Sequence, residues 1–104
     1  MNNSSEPKVG VVGAGTIGIT VAQDLAQHRC KVVLVDVSAE ALDRARREIA
    51  RNVRFYRLIS KSDDNLDLDR VLGCIEFTTD LERLSHVPFV IENVTEDFQV
   101  KNPL

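Results

Sequence analysis

Residues 9–18 read Val-Gly-Val-Val-Gly-Ala-Gly-Thr-Ile-Gly, and residues 31–36 read Lys-Val-Val-Leu-Val-Asp. In the first stretch, Gly13, Gly15 and Gly18 have the spacing G-x-G-x-x-G, between an apolar run typical of a buried strand and a helix-length segment. Asp36 follows 18 residues after the last glycine, at the end of a second apolar run. The order of strand, glycine loop, helix, strand and acid predicts a dinucleotide-binding βαβ unit.

Each part of this pattern has a physical function in such a unit. Gly13 permits the tight turn out of the strand, Gly15 leaves room for a pyrophosphate, and Gly18 lets the helix pack close to the sheet. The start of that helix directs N–H groups and a positive dipole end at the phosphates. We expect Asp36 to accept hydrogen bonds from the adenosine ribose, although it could also cap the helix that follows it. The cofactor-binding residues predicted in this unit are Gly13, Ala14, Gly15, Thr16, Ile17, Gly18 and Asp36.

The residues around Asp36 favour NAD as the cofactor. A carboxylate there would repel the 2′-phosphate of NADP, and Val37 and Ser38 follow it where an NADP site would need a cation. FAD enzymes share the glycine loop and the Gly18–Ala22 spacing, so an FAD-binding fragment remains an alternative. They usually place glutamate at the position of Asp36 and lack a long helix directly after it, which counts against FAD.

Composition predicts one compact domain, since the chain has 104 residues, of which 43% are apolar. The net charge of −3 gives no reason to expect nucleic acid as a partner, and no apolar run approaches the roughly 20 residues of a membrane span. Residues 1–7 are polar, lack the apolar core of a signal peptide, and are predicted to be a disordered tail. Cys30 and Cys74 are isolated thiols, which fits a reducing, cytoplasmic setting.

The apolar patterns predict an α/β fold, the first half of a Rossmann-type doubly wound parallel sheet. Strands are expected at 8–13, 32–35, 75–77 and 89–91, and helices at 16–28, 39–59 and 68–72, with a further helix starting after the fourth strand. Residues 8–104 would thus form a Rossmann domain that is incomplete at its C-terminus. The carboxyl ends of parallel strands share one edge. We therefore expect the glycine loop, Asp36 and residues 93–96 to line one crevice.

Periodicity within the helices predicts which faces are buried. In the first helix, Ile17, Val21 and Leu25 recur at the spacing of one face and are expected to lie against the sheet. The second helix has an apolar stripe opposite an arginine face that we interpret as mainly solvated, with docking of an acidic or phosphate-bearing partner as the alternative. The stripe consists of Leu42, Ala45, Ile49, Val53 and Tyr56, and the arginine face of Arg44, Arg47, Arg51 and Arg54. The expected helix-terminal residues are Ser38, Asp67 and Asp80 as N-caps and Gly73 just past a C-terminus.

Four segments together resemble the N-terminal NAD-binding domain of 3-hydroxyacyl-CoA dehydrogenases. They are Val-Gly-Ala-Gly-Thr-Ile-Gly, Val-Val-Leu-Val-Asp-Val-Ser-Ala-Glu-Ala-Leu, Phe-Thr-Thr-Asp-Leu and Val-Ile-Glu-Asn-Val-Thr-Glu-Asp, in this order within residues 8–104. The resemblance implies hydride transfer between NAD and the hydroxyl of a 3-hydroxyacyl thioester, and it places Glu96 and Lys101 near the cofactor. It also implies that the catalytic histidine, its partner glutamate and a helical dimerisation domain lie beyond Leu104, in a full-length homodimer.

The sequence departs from this family in the hairpin after the second strand. The hairpin is short and arginine-rich, with Asn52 and Ile59 near the places where family members contact coenzyme A. Relatives in polyketide pathways, which act on acyl groups attached to carrier proteins, also resemble the chain. The acyl group is therefore expected on either coenzyme A or an acyl carrier protein.

No catalytic residue and no metal ligand are predicted within the 104 residues. His28 and His86 have no cysteine, acid or histidine at ligand spacing. Both are expected at the amino edge of the sheet, away from the crevice, so neither is placed to serve as the catalytic base. Two classes of function remain open, namely the cofactor half of an NAD-dependent dehydrogenase and a non-catalytic dinucleotide-binding module.

Overall fold

A computed structural model describes residues 8–60, 67–94 and 97–101 of the chain. The described strands and helices are β1 (Lys8–Val12), α1 (Thr16–Gln27), β2 (Lys31–Val35), α2 (Ala39–Ser60), α3 (Leu68–Gly73), β3 (Ile75–Thr78), a 3-10 helix (Leu81–Leu84), β4 (Phe89–Val94) and β5 (Asp97–Lys101). The first four strands and the helices between them agree with the sequence prediction to within a few residues.

The strands form one sheet in the order β3-β2-β1-β4-β5. β1 pairs in parallel with β2 on one side and with β4 on the other, so that Val11 lies between Leu34 and Ile91. The chain therefore reverses its direction of winding between β1 and β4, which is the position where doubly wound sheets bind their ligands. This strand order confirms the Rossmann-type fold class.

The prediction of a helix after the fourth strand is wrong. The segment Asp97–Lys101 forms β5, which pairs antiparallel with β4. The sequence Asp-Phe-Gln-Val-Lys alternates polar and apolar residues with the period of two that a strand requires. The edge of β4 that faces away from β1 offers backbone groups to this segment, and pairing satisfies them.

The larger hydrophobic core lies between one face of the sheet and the three helices. It contains buried side chains from β1, β2 and β3 and from the facing sides of the helices, among them Val11, Val32, Leu34, Ala45, Ile49, Val53 and Val71. A smaller cluster on the opposite face joins Val33, Val35, Val87 and Val90 with the partly buried Val12 and Leu84. The helices after β1 and β2 thus share one face, as right-handed crossovers require.

The buried face of α1 differs from the predicted one. Ile17 is 38% exposed, and Val21 and Leu25 are only partly buried at the margin of the core. The buried residues of α1 are instead Gly18, Ile19, Ala22, Gln23 and Ala26. Because Gly18, Ala22 and Ala26 recur every four residues, their stripe lets the helix backbone approach the strands closely, and the larger side chains move to the flanks.

The predicted stripe of α2 is confirmed except at Tyr56, which is 47% exposed. A helix of 22 residues is roughly 33 Å long, whereas the five-residue β2 spans only about 17 Å. The last turns of α2 therefore extend past the sheet. Phe89 is 58% exposed, which is more than expected for a residue of a buried strand. It is the first residue of β4, and α1 covers the neighbouring strands β1 and β2.

The predicted N-caps are confirmed by their hydrogen bonds. The Oγ of Ser38 accepts from the Ala41 N–H at 3.1 Å. Asp67 accepts from the Asp69 N–H at the start of α3, and Asp80 caps the 3-10 helix in the same way. The predicted role of Gly73 is wrong, because Gly73 is the last residue of α3 and the C-cap Cys74 has a right-handed conformation, so no left-handed residue is needed there.

The C-terminus of α1 ends at a strained residue. The Cys30 N–H donates to the Leu25 carbonyl and the Arg29 N–H donates to the Ala26 carbonyl, both at 3.0 Å, which is the bonding of a Schellman motif. The residue after the C-cap in this motif adopts a left-handed conformation, and Arg29 does so with φ 69°. This position favours glycine, since a Cβ is crowded at positive φ.

We expect Arg29→Gly to stabilise the chain by about 0.5–1 kcal/mol, because the strain at Arg29 exceeds the chain entropy that glycine adds to the unfolded state. Urea unfolding followed by circular dichroism would measure the change. Arg29→Ala is the matched control, because it removes the same charge from the helix C-terminus but keeps the Cβ. If both variants shift the unfolding midpoint equally, the charge and not the backbone conformation is responsible.

Candidate dinucleotide-binding site

The glycine loop leaves β1 in a backbone conformation that depends on glycine. Gly13 has φ 103°, a region that is crowded for any residue with a Cβ. Its N–H donates to the carbonyl of Val35 at 2.7 Å, so the loop is tied to the end of β2 as soon as it leaves the sheet. The turn that the sequence assigned to Gly13 is present.

Gly15 is the N-cap residue of α1 and faces open space. It has φ −86°, its carbonyl accepts the first helical hydrogen bond from the Ile19 N–H at 2.9 Å, and no side chain caps the helix. A Cβ built on Gly15 meets no heavy atom within 4 Å. The N–H groups of Thr16, Ile17 and Gly18 belong to the first turn, where an α-helix provides no acceptor. This end of α1 therefore offers backbone donors beside a space that a phosphate could occupy.

The carboxylate of Asp36 lies directly against this loop. Its Oδ2 accepts from the Ala14 N–H at 2.8 Å, and its Oδ1 accepts from the Ser38 N–H at 2.8 Å. Ser38, rather than Asp36, is the N-cap of α2. The structure thus places a half-buried acceptor beside the glycine loop, as the sequence predicted, and adds a bond to Ala14 that the sequence did not show.

The structure describes only one of the remaining two predicted site residues. Glu96 lies outside the described residues. Lys101 is in β5 and pairs with Val90, near the amino end of β4 and therefore toward the opposite edge of the sheet. At the carboxyl end of β4, Glu92 lies beside Val12, one residue before Gly13. The cofactor contacts of Glu96 and Lys101 stay predictions.

The two histidines lie where the topology predicted, away from the crevice. His28 is the C-cap of α1, with its Nδ1 2.8 Å from the carbonyl oxygen of Asp24, and His86 is an exposed residue preceding β4. Both positions belong to the amino edge of the sheet, whereas the glycine loop and Asp36 are at the carboxyl edge. In the part of the chain that the structure describes, no group of three histidine, cysteine or acidic side chains could hold a metal ion.

A polar pair joins α1 to α2 and was missed by sequence reasoning. The Nδ2 of Asn52 donates to the Oε1 of Gln23 at 2.9 Å, and Gln23 is buried to 6% exposure. Asn52 is therefore engaged inside the chain, while Ile59, the second residue expected near coenzyme A, is 63% exposed. The only feature of the sequence that pointed to this hydrogen bond was the position of Gln23 beside the small-residue stripe of α1.

An open groove of about 420 Å³ lies between α2 and the end of β3. Its walls include Arg46, whose guanidinium carbon is 4.3 Å from the centroid of the Phe77 ring. Nearby on β3, Glu76 accepts a hydrogen bond from Arg83, and this bond raises the pKa of the Arg83 guanidinium. The groove flanks the outer edge of the sheet and is separate from the glycine loop.

In the described part of the chain, no helix is both long and apolar enough to cross a membrane.

Comparison with known proteins gives one consistent family. The family model described as "3-hydroxyacyl-CoA dehydrogenase, NAD binding domain" matches residues 8–104. A probable 3-hydroxybutyryl-CoA dehydrogenase of Deinococcus radiodurans is 38% identical over 97 residues, covering 93% of this chain and 34% of the relative. The 3-hydroxyadipyl-CoA dehydrogenase of Escherichia coli is 34% identical, covering 92% of this chain and 20% of the relative.

Solved structures agree with this result. The crystal structure of Mycobacterium tuberculosis FadB2 has a TM-score of 0.77 at 35% identity and covers 86% of this chain and 31% of that one. The 3-hydroxybutyryl-CoA dehydrogenase of Escherichia coli has a TM-score of 0.79 at 32% identity, with 89% and 20% covered. The chain spans between a fifth and about a third of the length of these relatives.

Proposed function

The chain belongs to the family of NAD-binding domains of 3-hydroxyacyl-CoA dehydrogenases, and from this premise we propose that it serves a dehydrogenase as the part that holds NAD. The reaction would transfer a hydride between NAD and the hydroxyl-bearing carbon of a 3-hydroxyacyl thioester. Bound NAD supplies the hydride acceptor, while the protein binds and orients it. Because the family domain binds NAD, the FAD alternative loses its support.

The proposal rests on one observation, which is that the Asp36 carboxylate is hydrogen-bonded to the glycine loop. The acceptor expected for the ribose is 2.8 Å from the N–H of Ala14, directly beside the Gly15 surface, where a Cβ would meet nothing. A dinucleotide needs phosphate donors and a ribose acceptor at adjacent places, and the positions of the α1 N-terminus and Asp36 support these two roles. The site therefore fits NAD.

The proposal extends to the carrier of the acyl group, for which two candidates have support. The named relatives act on coenzyme A thioesters, which supports coenzyme A. The engagement of Asn52 with Gln23 and the exposed apolar Ile59 favour instead a group bound to an acyl carrier protein, as in polyketide biosynthesis. A full-length homodimer and a cytoplasmic setting stay predictions.

Titration with NADH tests the cofactor role directly. We expect the nicotinamide fluorescence of NADH to change saturably on addition of the 104-residue chain. ADP should compete, since the glycine loop and the ribose acceptor would both contact the ADP half of the cofactor. A chain that is folded by circular dichroism and yet gives no saturable change would overturn the proposal.

We also expect the 104-residue chain to show no dehydrogenase turnover when saturated with NAD and offered 3-hydroxyacyl thioesters. A general base must come within hydrogen-bond reach of the hydroxyl. Both histidines of this chain lie at the opposite edge of the sheet from the glycine loop. Absorbance at 340 nm measures NADH formation.

The control for this assay is the His28→Ala/His86→Ala double variant, which removes both imidazoles of the chain. Turnover by the purified wild-type chain that disappears in the double variant would contradict this placement. Equal turnover in both preparations would point to a contaminating enzyme.

A further inference from the structure

We propose that Asp36 is a positioning residue for the glycine loop as well as an acceptor for the ribose. Its carboxylate would hold the Ala14 N–H away from the phosphate site and fix the loop in its binding shape before any cofactor arrives. This proposal rests on the proposed function only in assuming that the loop binds a dinucleotide, since the contact itself belongs to the chain without ligand.

The carboxylate is held from two sides by backbone donors. Oδ2 accepts from Ala14 and Oδ1 from Ser38, each at 2.8 Å, which is the usual length of a charge-assisted bond. A carboxylate offers about four lone-pair positions, so the two bonds leave one position on each oxygen. Asp36 is only half buried, and the remaining positions can receive ribose hydroxyls without releasing the loop.

Hydrogen bonds from backbone N–H groups join the glycine loop to the end of β2. Gly13 donates its N–H to the carbonyl of Val35 at 2.7 Å, and Ala14 donates its N–H to the side chain of Asp36. Two consecutive residues of the loop are thus bound to two consecutive residues at the end of β2. The next residue, Gly15, faces open space on the side where a Cβ would stand.

The consequence concerns which amides bind phosphate. The Ala14 N–H is used within the chain, so the donors left for a pyrophosphate begin after it, at the N-terminus of α1. Losing the Asp36 carboxylate would then weaken the binding of any ligand that uses this loop, including one without ribose hydroxyls. A residue that acted on the ribose alone would have no such effect.

The first test uses the ligand-free chain and nuclear magnetic resonance. We expect the Ala14 amide to exchange slowly with solvent in the wild type and at least about tenfold faster in Asp36→Ala, as for loss of one charge-assisted hydrogen bond. Asp67→Ala is the matched control, because it removes a capping carboxylate bonded to the Asp69 N–H. It caps α3, whose Arg70 bonds to carbonyls at the C-terminal end of α1, opposite the loop. Unchanged Ala14 exchange in Asp36→Ala would overturn the proposal.

The second test compares ADP with 2′,3′-dideoxy-ADP, which keeps the pyrophosphate but lacks the ribose hydroxyls. Asp36→Asn and Asp36→Ala are both neutral, but only asparagine keeps an oxygen that can accept from Ala14. We expect Asp36→Ala to bind dideoxy-ADP about tenfold more weakly than Asp36→Asn does. Equal affinities would show that the side chain acts on the ribose alone. If the wild type binds neither nucleotide, the proposed function fails, and the exchange measurement still decides this proposal.

Discussion

Replacing Gly15 with valine should abolish NADH binding while leaving the chain folded. A Cβ at this position meets no heavy atom within 4 Å, so the isopropyl group enters the space proposed for the pyrophosphate and not the core. Gly15 has φ −86°, which valine adopts without strain. Loss of the phosphate contacts should weaken binding by about 100-fold or more, as measured by NADH fluorescence titration.

The cost to folding should be small by comparison. Glycine is a better N-cap than valine, so we expect a loss of stability of about 1 kcal/mol or less, visible as a slightly lower midpoint in thermal unfolding. Gly73→Val is the matched control, since a Cβ there also meets nothing within 4 Å and Gly73 ends α3, remote from the loop. A folded Gly15→Val chain that keeps its NADH affinity would show that the dinucleotide does not use this loop.

Local patterns were sufficient to predict the fold and the neighbouring positions of the glycine loop and Asp36. The glycine spacing, the apolar strands and the acid after β2 each depend on residues close together in sequence, and parallel strands place their ends on one edge whatever fills the core. The open surface at Gly15 and the position of Asp36 beside the loop therefore agree with the sequence prediction.

Features that depend on how deeply elements pack were predicted less well. Periodicity alone ranks Ile17 and Val21 above Ala22 and Ala26 as core residues, yet the small stripe faces the sheet because it allows the helix axis to come closer. The exposure of Tyr56 likewise depends on α2 being longer than the strands that it covers. The distance between a helix axis and the sheet is not encoded in a window of a few residues, and a predicted stripe does not show where along the helix the sheet ends.

Contacts between distant residues were also beyond the sequence. The bond from Ala14 to Asp36 spans 22 positions, and the bond from Asn52 to Gln23 spans 29. Each requires a particular rotamer in addition to the correct topology. The sequence could show that Asp36 and the loop are neighbours, but not that the carboxylate already has two backbone donors.

The double variant Asp36→Ala/Val37→Arg should change the cofactor preference of the chain from NADH to NADPH. The wild type should prefer NADH, because the Asp36 carboxylate accepts from ribose hydroxyls and repels a 2′-phosphate. Removing it should weaken NADH binding by about 1–3 kcal/mol. Val37 is 88% exposed, so arginine can be introduced there without disturbing the core, and its guanidinium can bind the phosphate at two points.

The two single variants separate these contributions. Asp36→Ala alone should weaken NADH and reduce the bias against NADPH without creating affinity for the phosphate, whereas Val37→Arg alone should gain little while the carboxylate remains. The control Asp36→Ala/Val37→Gln places a polar side chain with N–H donors at the same position but has no charge, so it should bind NADPH at least about tenfold more weakly than the arginine variant. Fluorescence titration of the wild type and all four variants with both cofactors gives the comparison. Tighter binding of NADPH than of NADH by the wild type would overturn the assignment of Asp36 to the ribose, because an anion facing that hydroxyl cannot favour a phosphate over it.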